Sequence, residues 1–153
     1  MQQAPANRTH FSQTCAFCRI IQAEEQAAVL FEDDLSLVFL DRRPLFPGHC
    51  LCVPKAHYET LAALPAALVG PLFQTVQRVE RAIEEGLHTD GTFIGINNRV
   101  SQSVPHLHIH VVPRRRQDGL RGFFWPRQSY PDEAALLEMQ ETLRAAIAGV
   151  PSP

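Results

Sequence analysis

Three histidines in one short stretch, Pro105-His106-Leu107-His108-Ile109-His110-Val111-Val112-Pro113, are the residues whose type and spacing point most directly to chemistry. They alternate with Leu107, Ile109 and Val111, which is the period-two pattern of a half-buried strand. Alternate side chains on a strand share a face and stand roughly 6.5 Å apart, so the imidazoles line one side and the aliphatics pack on the other. Three readings are open. Each histidine could be an ordinary strand residue with its hydrogen bonds satisfied. The three could hold a metal, since neutral imidazole is a common ligand. Against this, three consecutive positions on one strand converge poorly, and no Asp or Glu lies in the stretch. Or one imidazole attacks an electrophile while its neighbours position and protonate.

A second candidate is Cys15-Ala16-Phe17-Cys18, whose two-residue gap lets two thiolates grip one tetrahedral ion. Alone, the pair reads equally as a redox couple or two buried thiols. Cys50 and Cys52 alternate on a predicted strand and read as core.

These residues need a scaffold, and 153 residues suffice for one domain with a workable core. A formal net charge of −2 argues against a general nucleic-acid binder. No apolar run approaches a membrane span. The first residues lack the apolar core of a signal peptide, and four cysteines then read as thiols or ligands, so the cytoplasm is the expected compartment. Residues 1–13 are expected to form a flexible polar arm ahead of one domain over 14–150. The pattern predicts a short helix over 15–26 and strands over 29–32, 37–40, 49–53, 91–96 and 106–112, with Asp33-Asp34 turning the first hairpin. Residues 60–85 carry helical spacing, broken at Gly70-Pro71 into a short and a longer helix and stopped at Gly86. An amphipathic helix over 131–148 closes the chain, with Leu136, Leu143 and Ile147 on one face. The fold class is α+β: about five antiparallel strands with packed helices.

The H-x-H-x-H stretch, preceded by Gln102-Ser103-Val104, resembles the signature of the histidine triad (HIT) superfamily of nucleotide hydrolases and transferases. Phe39-Leu40-Asp41, the segment from Pro47-Gly48-His49 to Pro54-Lys55-Ala56-His57, and Asn97 match further family positions, so the resemblance covers most of residues 15–113. It implies a single HIT-like domain, commonly a homodimer, acting on a nucleotide and needing no organic cofactor. His108 would attack the α-phosphorus of a nucleotide and form a nucleotidyl-histidine that water then releases as the monophosphate. His110 would contact the phosphate oxygens, and His49 matches a further active-site histidine. Asn97, Gln102 and Ser103 match the phosphate side, and Asp41 the ribose hydroxyls. Phe17, Ile21 and Phe39 match apolar positions around the base; core packing is the alternative reading for these three.

In the bacterial-type members that this chain resembles, and in the related galactose-1-phosphate uridylyltransferases, the cysteine pair binds structural zinc. The matching set here is Cys15, Cys18, His57 and His106, with His49 the alternative to His57. One departure stands out. The family's loop between asparagine and triad is longer and glycine-rich, whereas here it is Asn98-Arg99-Val100-Ser101. Arg114, Arg115, Arg116, Arg121 and Arg127 make the triad's C-terminal flank basic, which reads as a solvated face or as attraction for a polyphosphate. Gly122-Phe123-Phe124-Trp125-Pro126 reads as a loop over the pocket or at a subunit contact. Two rivals to a hydrolase remain at this point: a low-turnover nucleotide sensor, and a three-histidine metalloenzyme using metal-bound water.

Overall fold

Asp33 turns the first hairpin by accepting from its neighbours: the Leu35 and Ser36 amides donate to its Oδ1 at 2.9 and 2.6 Å, and the Ser36 hydroxyl at 2.9 Å. This joins β1 (Val29–Glu32) to β2 (Ser36–Leu40). β3 (Cys50–Pro54), β4 (Gly91–Gly95) and β5 (Ile109–Arg114) complete a five-stranded antiparallel sheet in the order β1-β2-β3-β5-β4. The computed structural model describes residues 11–120 and 128–150. The chain divides into two compact units, Met1–Arg116 and Gln117–Pro153.

The alternation along each strand sorts the first unit's core into two layers. Val38, Cys50, Cys52, Leu107, Ile109 and Val111 face one side and pack with Leu72, Val76, Val79 and Ile83 of the long helix α2 (Ala66–Leu87). Leu37, Phe39, Leu51 and Val53 face the other side, under Cys15, Phe17 and Cys18 at the start of α1 (Ala16–Ile21). Cys50 and Cys52 are therefore core residues, and burial pushes their thiols up to about 11 and about 12.

Helix α2 departs from expectation at both ends. It runs unbroken through Gly70-Pro71, and the break falls earlier, at Pro65, after a 3-10 turn over Leu61–Ala63. Pro71 removes one hydrogen bond, to the carbonyl of Ala67, but both residues are exposed, so water can solvate the freed carbonyl. Burial of Leu72, Val76, Val79 and Ile83 contributes about 1.5–3 kcal/mol each and outweighs the loss. At the far end the helix passes Gly86 and stops at Leu87, where His88 takes the left-handed conformation at φ 51°. The Arg115 guanidinium donates to the terminal carbonyls of His88 (2.8 Å) and Leu87 (2.6 Å), satisfying acceptors that a helix end leaves open.

The fifth strand begins later than predicted, at Ile109 rather than His106. The ladder to β3 pairs Cys50 with Val111, Leu51 with His110 and Cys52 with Ile109, and goes no further. Upstream, the Leu107 amide donates instead to the carbonyl of Tyr58 (2.6 Å) and the His106 amide to that of Val104 (2.8 Å). In the second unit, α3 (Glu133–Ala148) starts two residues after Pro131. Its N-cap is Asp132, whose carboxylate accepts from the Ala135 amide at 2.8 Å. Leu136, Leu143 and Ile147 are exposed along it. No helix among the described residues is long and apolar enough to cross a membrane. Residues 1–10 of the arm expected over 1–13 lie outside the described residues, as do Arg121, Arg127 and the Gly122–Pro126 stretch.

Candidate active site and metal centre

The α1 face of the sheet opens into a cavity of about 280 Å³. Ala16, Phe17 and Ile20 form one wall, Phe39 and Leu51 line the sheet side, and Asp41, Arg42 and Arg43 form the rim beyond β2. Ser103, Val104, His108 and His110 close the remaining side. Phe17 meets Phe39 edge-on at 5.4 Å between centroids, and the two form an apolar wall beside the histidines. The family resemblance singled out Ile21 as a base contact, with core packing the alternative; here Ile20 lines the cavity and Ile21 packs into the layer beneath α1.

All three triad histidines stay on this face although only His110 belongs to the ladder. Phe17 lies edge-on to both His106 (5.9 Å) and His108 (5.2 Å), and the His108 and His110 rings are 4.9 Å apart. His108 Nδ1 is 2.7 Å from the carbonyl oxygen of His106. A carbonyl only accepts, so Nδ1 carries the proton and Nε2 the lone pair. Burial holds His108 below the ordinary histidine range, against the opposing pull of that hydrogen bond and of Asp41. Burial, with His108 and His49 adding repulsion, pushes His110 down to about 4. His49 lies behind them, buried and likewise lowered, with Nε2 3.0 Å from His110 Nδ1. The Leu45 amide donates to His49 Nδ1 at 3.1 Å, and Asp41 Oδ2 stands 3.7 Å from the same nitrogen. Neutral imidazoles, one with a free lone pair, beside an apolar wall can perform nucleophilic chemistry near pH 7.

The shortened loop before the triad uses its polar groups on itself. Gln102 Oε1 accepts from the Arg99 amide (2.7 Å), and Gln102 Nε2 donates to the Glu59 carbonyl (2.6 Å). Asn98 Oδ1 accepts from the Leu61 amide at 2.9 Å. Without glycine, Arg99 (φ 67°) and Ser101 (φ 59°) take left-handed conformations that cost roughly 1–2 kcal/mol each. Neither Asn97 nor Gln102 lines the cavity, whereas Ser103 does.

Sequence reasoning missed Arg42 and Arg43, because 42–48 read only as a loop. Their position directly after Asp41 was the available signal. Arg42 donates to the Gln26 carbonyl and lies 3.9 Å from Glu25, while the Arg43 amide donates to Asp41 Oδ1 at 2.8 Å. The Leu45 amide was also missed, since a main-chain donor carries no residue signature.

Behind the cavity, Cys15, Cys18, His57 and His106 bring one ligand atom each within 4.8 Å of one another. Cys15 Sγ is 3.5 Å and Cys18 Sγ 3.6 Å from His106 Nδ1, and Cys18 Sγ is 3.3 Å from His57 Nδ1. A tetrahedral ion bound at standard zinc–sulfur and zinc–nitrogen lengths sets sulfur and nitrogen about 3.5 Å apart, so the donor set fits. His106 Nε2 donates to the Pro54 carbonyl (2.8 Å), which turns the Nδ1 lone pair towards the sulfurs. Burial pushes His106 down to about 4, keeping it in the neutral form that ligates, while burial and the adjacent Cys15 raise the Cys18 thiol. His57, rather than His49, joins the cysteines. The second group of this kind among the described residues is Asp41, His49 and His110.

The site is thus a set of buried histidines lining a cavity on an antiparallel sheet, beside a Cys2His2 cluster. A family model described as the HIT domain matches residues 22–117. The adenylylsulfatase HINT3 of Arabidopsis thaliana is 38% identical over 108 residues, covering 69% of this chain and 55% of that protein. The asymmetrical bis(5'-nucleosyl)-tetraphosphatase of Schizosaccharomyces pombe is 34% identical over 92 residues, 59% of this chain and 50% of that enzyme. The chain thus spans about half the length of these two relatives. The crystal structure of a Zn-bound histidine triad family protein from Mycobacterium smegmatis superposes with a TM-score of 0.67 at 37% identity, covering 84% of this chain and 97% of that one. The chain belongs to the HIT family, with the five-stranded fold expected of it.

Proposed function

We propose that this protein is a nucleotide hydrolase that cleaves at the α-phosphate of a dinucleoside polyphosphate or nucleoside phosphoramidate and releases a nucleoside monophosphate. The observation that carries this reading is the 2.7 Å contact between His108 Nδ1 and the His106 carbonyl, which leaves Nε2 as an unprotonated nucleophile beside the cavity. Its relatives' named activities, on an adenylyl sulfate and on a bis-nucleosyl tetraphosphate, support the substrate class.

The base packs against the apolar wall of Phe17, Ile20 and Phe39, and the Asp41 carboxylate accepts from the ribose hydroxyls. His108 Nε2 attacks the α-phosphorus; a P–N bond forms and the bond to the leaving group breaks. His110 and Ser103 donate to the phosphate oxygens. Water then attacks the phosphorus, the P–N bond breaks, and its electron pair returns to Nε2. Cys15, Cys18, His57 and His106 would hold a structural zinc ion that ties α1 to the segment carrying His108. The reading includes a cytoplasmic protein, with four cysteines that serve as thiols or metal ligands rather than in disulfides, and a homodimer.

The test is an acid-quench assay read by mass spectrometry, with diadenosine tetraphosphate and an adenosine phosphoramidate offered separately. The expected result is AMP release and an AMP adduct on His108 in the wild type, with neither in His108→Ala. Full activity in His108→Ala would reject the covalent route in favour of metal-bound water. A low-turnover sensor is favoured by one observation: the Gln102 amide is spent on Arg99 and Glu59. It predicts equal nucleotide affinity and negligible product in both proteins.

A further inference from the structure

We infer that the main-chain amide of Leu45 fixes the proton positions on both His49 and His110, making His49 a positioning residue that keeps His110 a hydrogen-bond donor at the cavity. The argument is one of donor counting. A neutral imidazole has one N–H and one lone pair. The Leu45 amide can only donate, and it points at His49 Nδ1 from 3.1 Å, so Nδ1 is the lone pair and Nε2 carries the proton. That Nε2–H lies 3.0 Å from His110 Nδ1. His110 Nδ1 is therefore the acceptor, and the proton of His110 sits on Nε2, its remaining polar group, in a residue that lines the cavity.

The neighbouring ring is set the opposite way. His108 gives its Nδ1–H to the His106 carbonyl and keeps a lone pair on Nε2. Two identical side chains, with rings 4.9 Å apart, thus take unlike roles because one chain of contacts ends on a carbonyl and the other on an amide. A sequence motif cannot encode that difference.

The same contact decides between two uses of the Asp41, His49 and His110 group. Its atoms lie close enough to hold a metal ion. A cation there needs a lone pair on His49, and the only one a neutral ring has, on Nδ1, is already taken by the Leu45 N–H. Asp41 does not compete for the proton: its Oδ2 is 3.7 Å from Nδ1, and its Oδ1 accepts from the Arg43 amide. A proton on Nδ1 would meet the Leu45 N–H head-on.

The proton positions do not depend on the hydrolase reading; only their use in turnover rests on it. The test is nitrogen-15 NMR of the histidine rings in the full, zinc-loaded chain without nucleotide, above the ordinary histidine titration range. The expected result is a protonated Nε2 on His49 and His110 and a protonated Nδ1 on His108. A protonated Nδ1 on either His49 or His110 overturns the inference. Leu45 is exposed, so Leu45→Pro deletes the amide proton at little packing cost; the expected spectrum shows His49 in mixed tautomers. Unchanged tautomers in the folded variant overturn the role of the amide. In turnover, His49→Leu is expected to lower kcat about tenfold with little change in KM, and His49→Gln, which keeps an N–H near Nε2, to restore most of it. Equal losses in both variants overturn the positioning role, while the NMR result stands separately from any failure to find a substrate.

Discussion

At the scale of single residues, burial and one hydrogen-bond partner per ring decide what each histidine can do. Removing the proposed nucleophile while keeping its volume, as in His108→Gln, is expected to lower kcat at least about a thousandfold, some 4 kcal/mol of transition-state stabilisation. Nucleotide affinity should change little, and single-turnover kinetics beside equilibrium binding would separate the two. The low pKa of His110 also has a stability consequence. Its folded value of about 4 lies below the ordinary histidine value of 6.5, so between those limits the unfolded chain binds more protons than the folded one. Stability then falls as pH drops from 6.5 towards 4, by up to about 1.4 kcal/mol per unit for a single group. Urea denaturation across that window should show a shallower pH slope for His110→Asn than for the wild type.

At the scale of elements, α2 shows tertiary packing overriding local preference. Gly70-Pro71 predicts a break, yet four buried apolar positions carry the helix unbroken through it. Leu72, fully buried against the sheet, is the contact to remove: Leu72→Ala is expected to cost about 2–5 kcal/mol in equilibrium denaturation. Pro71→Ala, which restores one main-chain hydrogen bond on the exposed side, should instead stabilise by about 1–3 kcal/mol. Opposite signs at adjacent positions would confirm that the buried face, not the backbone preference, holds this helix. The loop before the triad is the converse case. Arg99 and Ser101 are left-handed without being glycine, and Gln102 clasps that loop at both ends of its amide. The family's glycines were absent from the sequence, but only the folded loop shows where the glutamine went instead.

At the scale of the whole first unit, the Cys2His2 cluster joins three separated parts of the chain: the start of α1, the loop after β3 and the approach to β5. A crosslink over loops this long stabilises by about 3–4 kcal/mol on chain-entropy grounds alone. Metal analysis should find one zinc per chain. Chelation, or Cys18→Ser, should lower the thermal midpoint by about 10 °C. A midpoint unmoved by chelation, in protein shown to have lost its metal, would reject the structural role.

The sequence alone determined the antiparallel strands, the Asp33 turn, the family and the cysteine pair of the candidate metal cluster. Each rests on side-chain identity at a fixed spacing: alternation makes strands, and a two-residue gap makes a thiol pair. Tertiary structure decided what no spacing encodes. It placed His57 rather than His49 with the cysteines, ended α2 on His88 beneath Arg115, and put Ile20 instead of Ile21 into the cavity. It also decided the proton positions, because the Leu45 amide and the His106 carbonyl belong to a backbone that every residue shares, and only folding brings them to a particular ring.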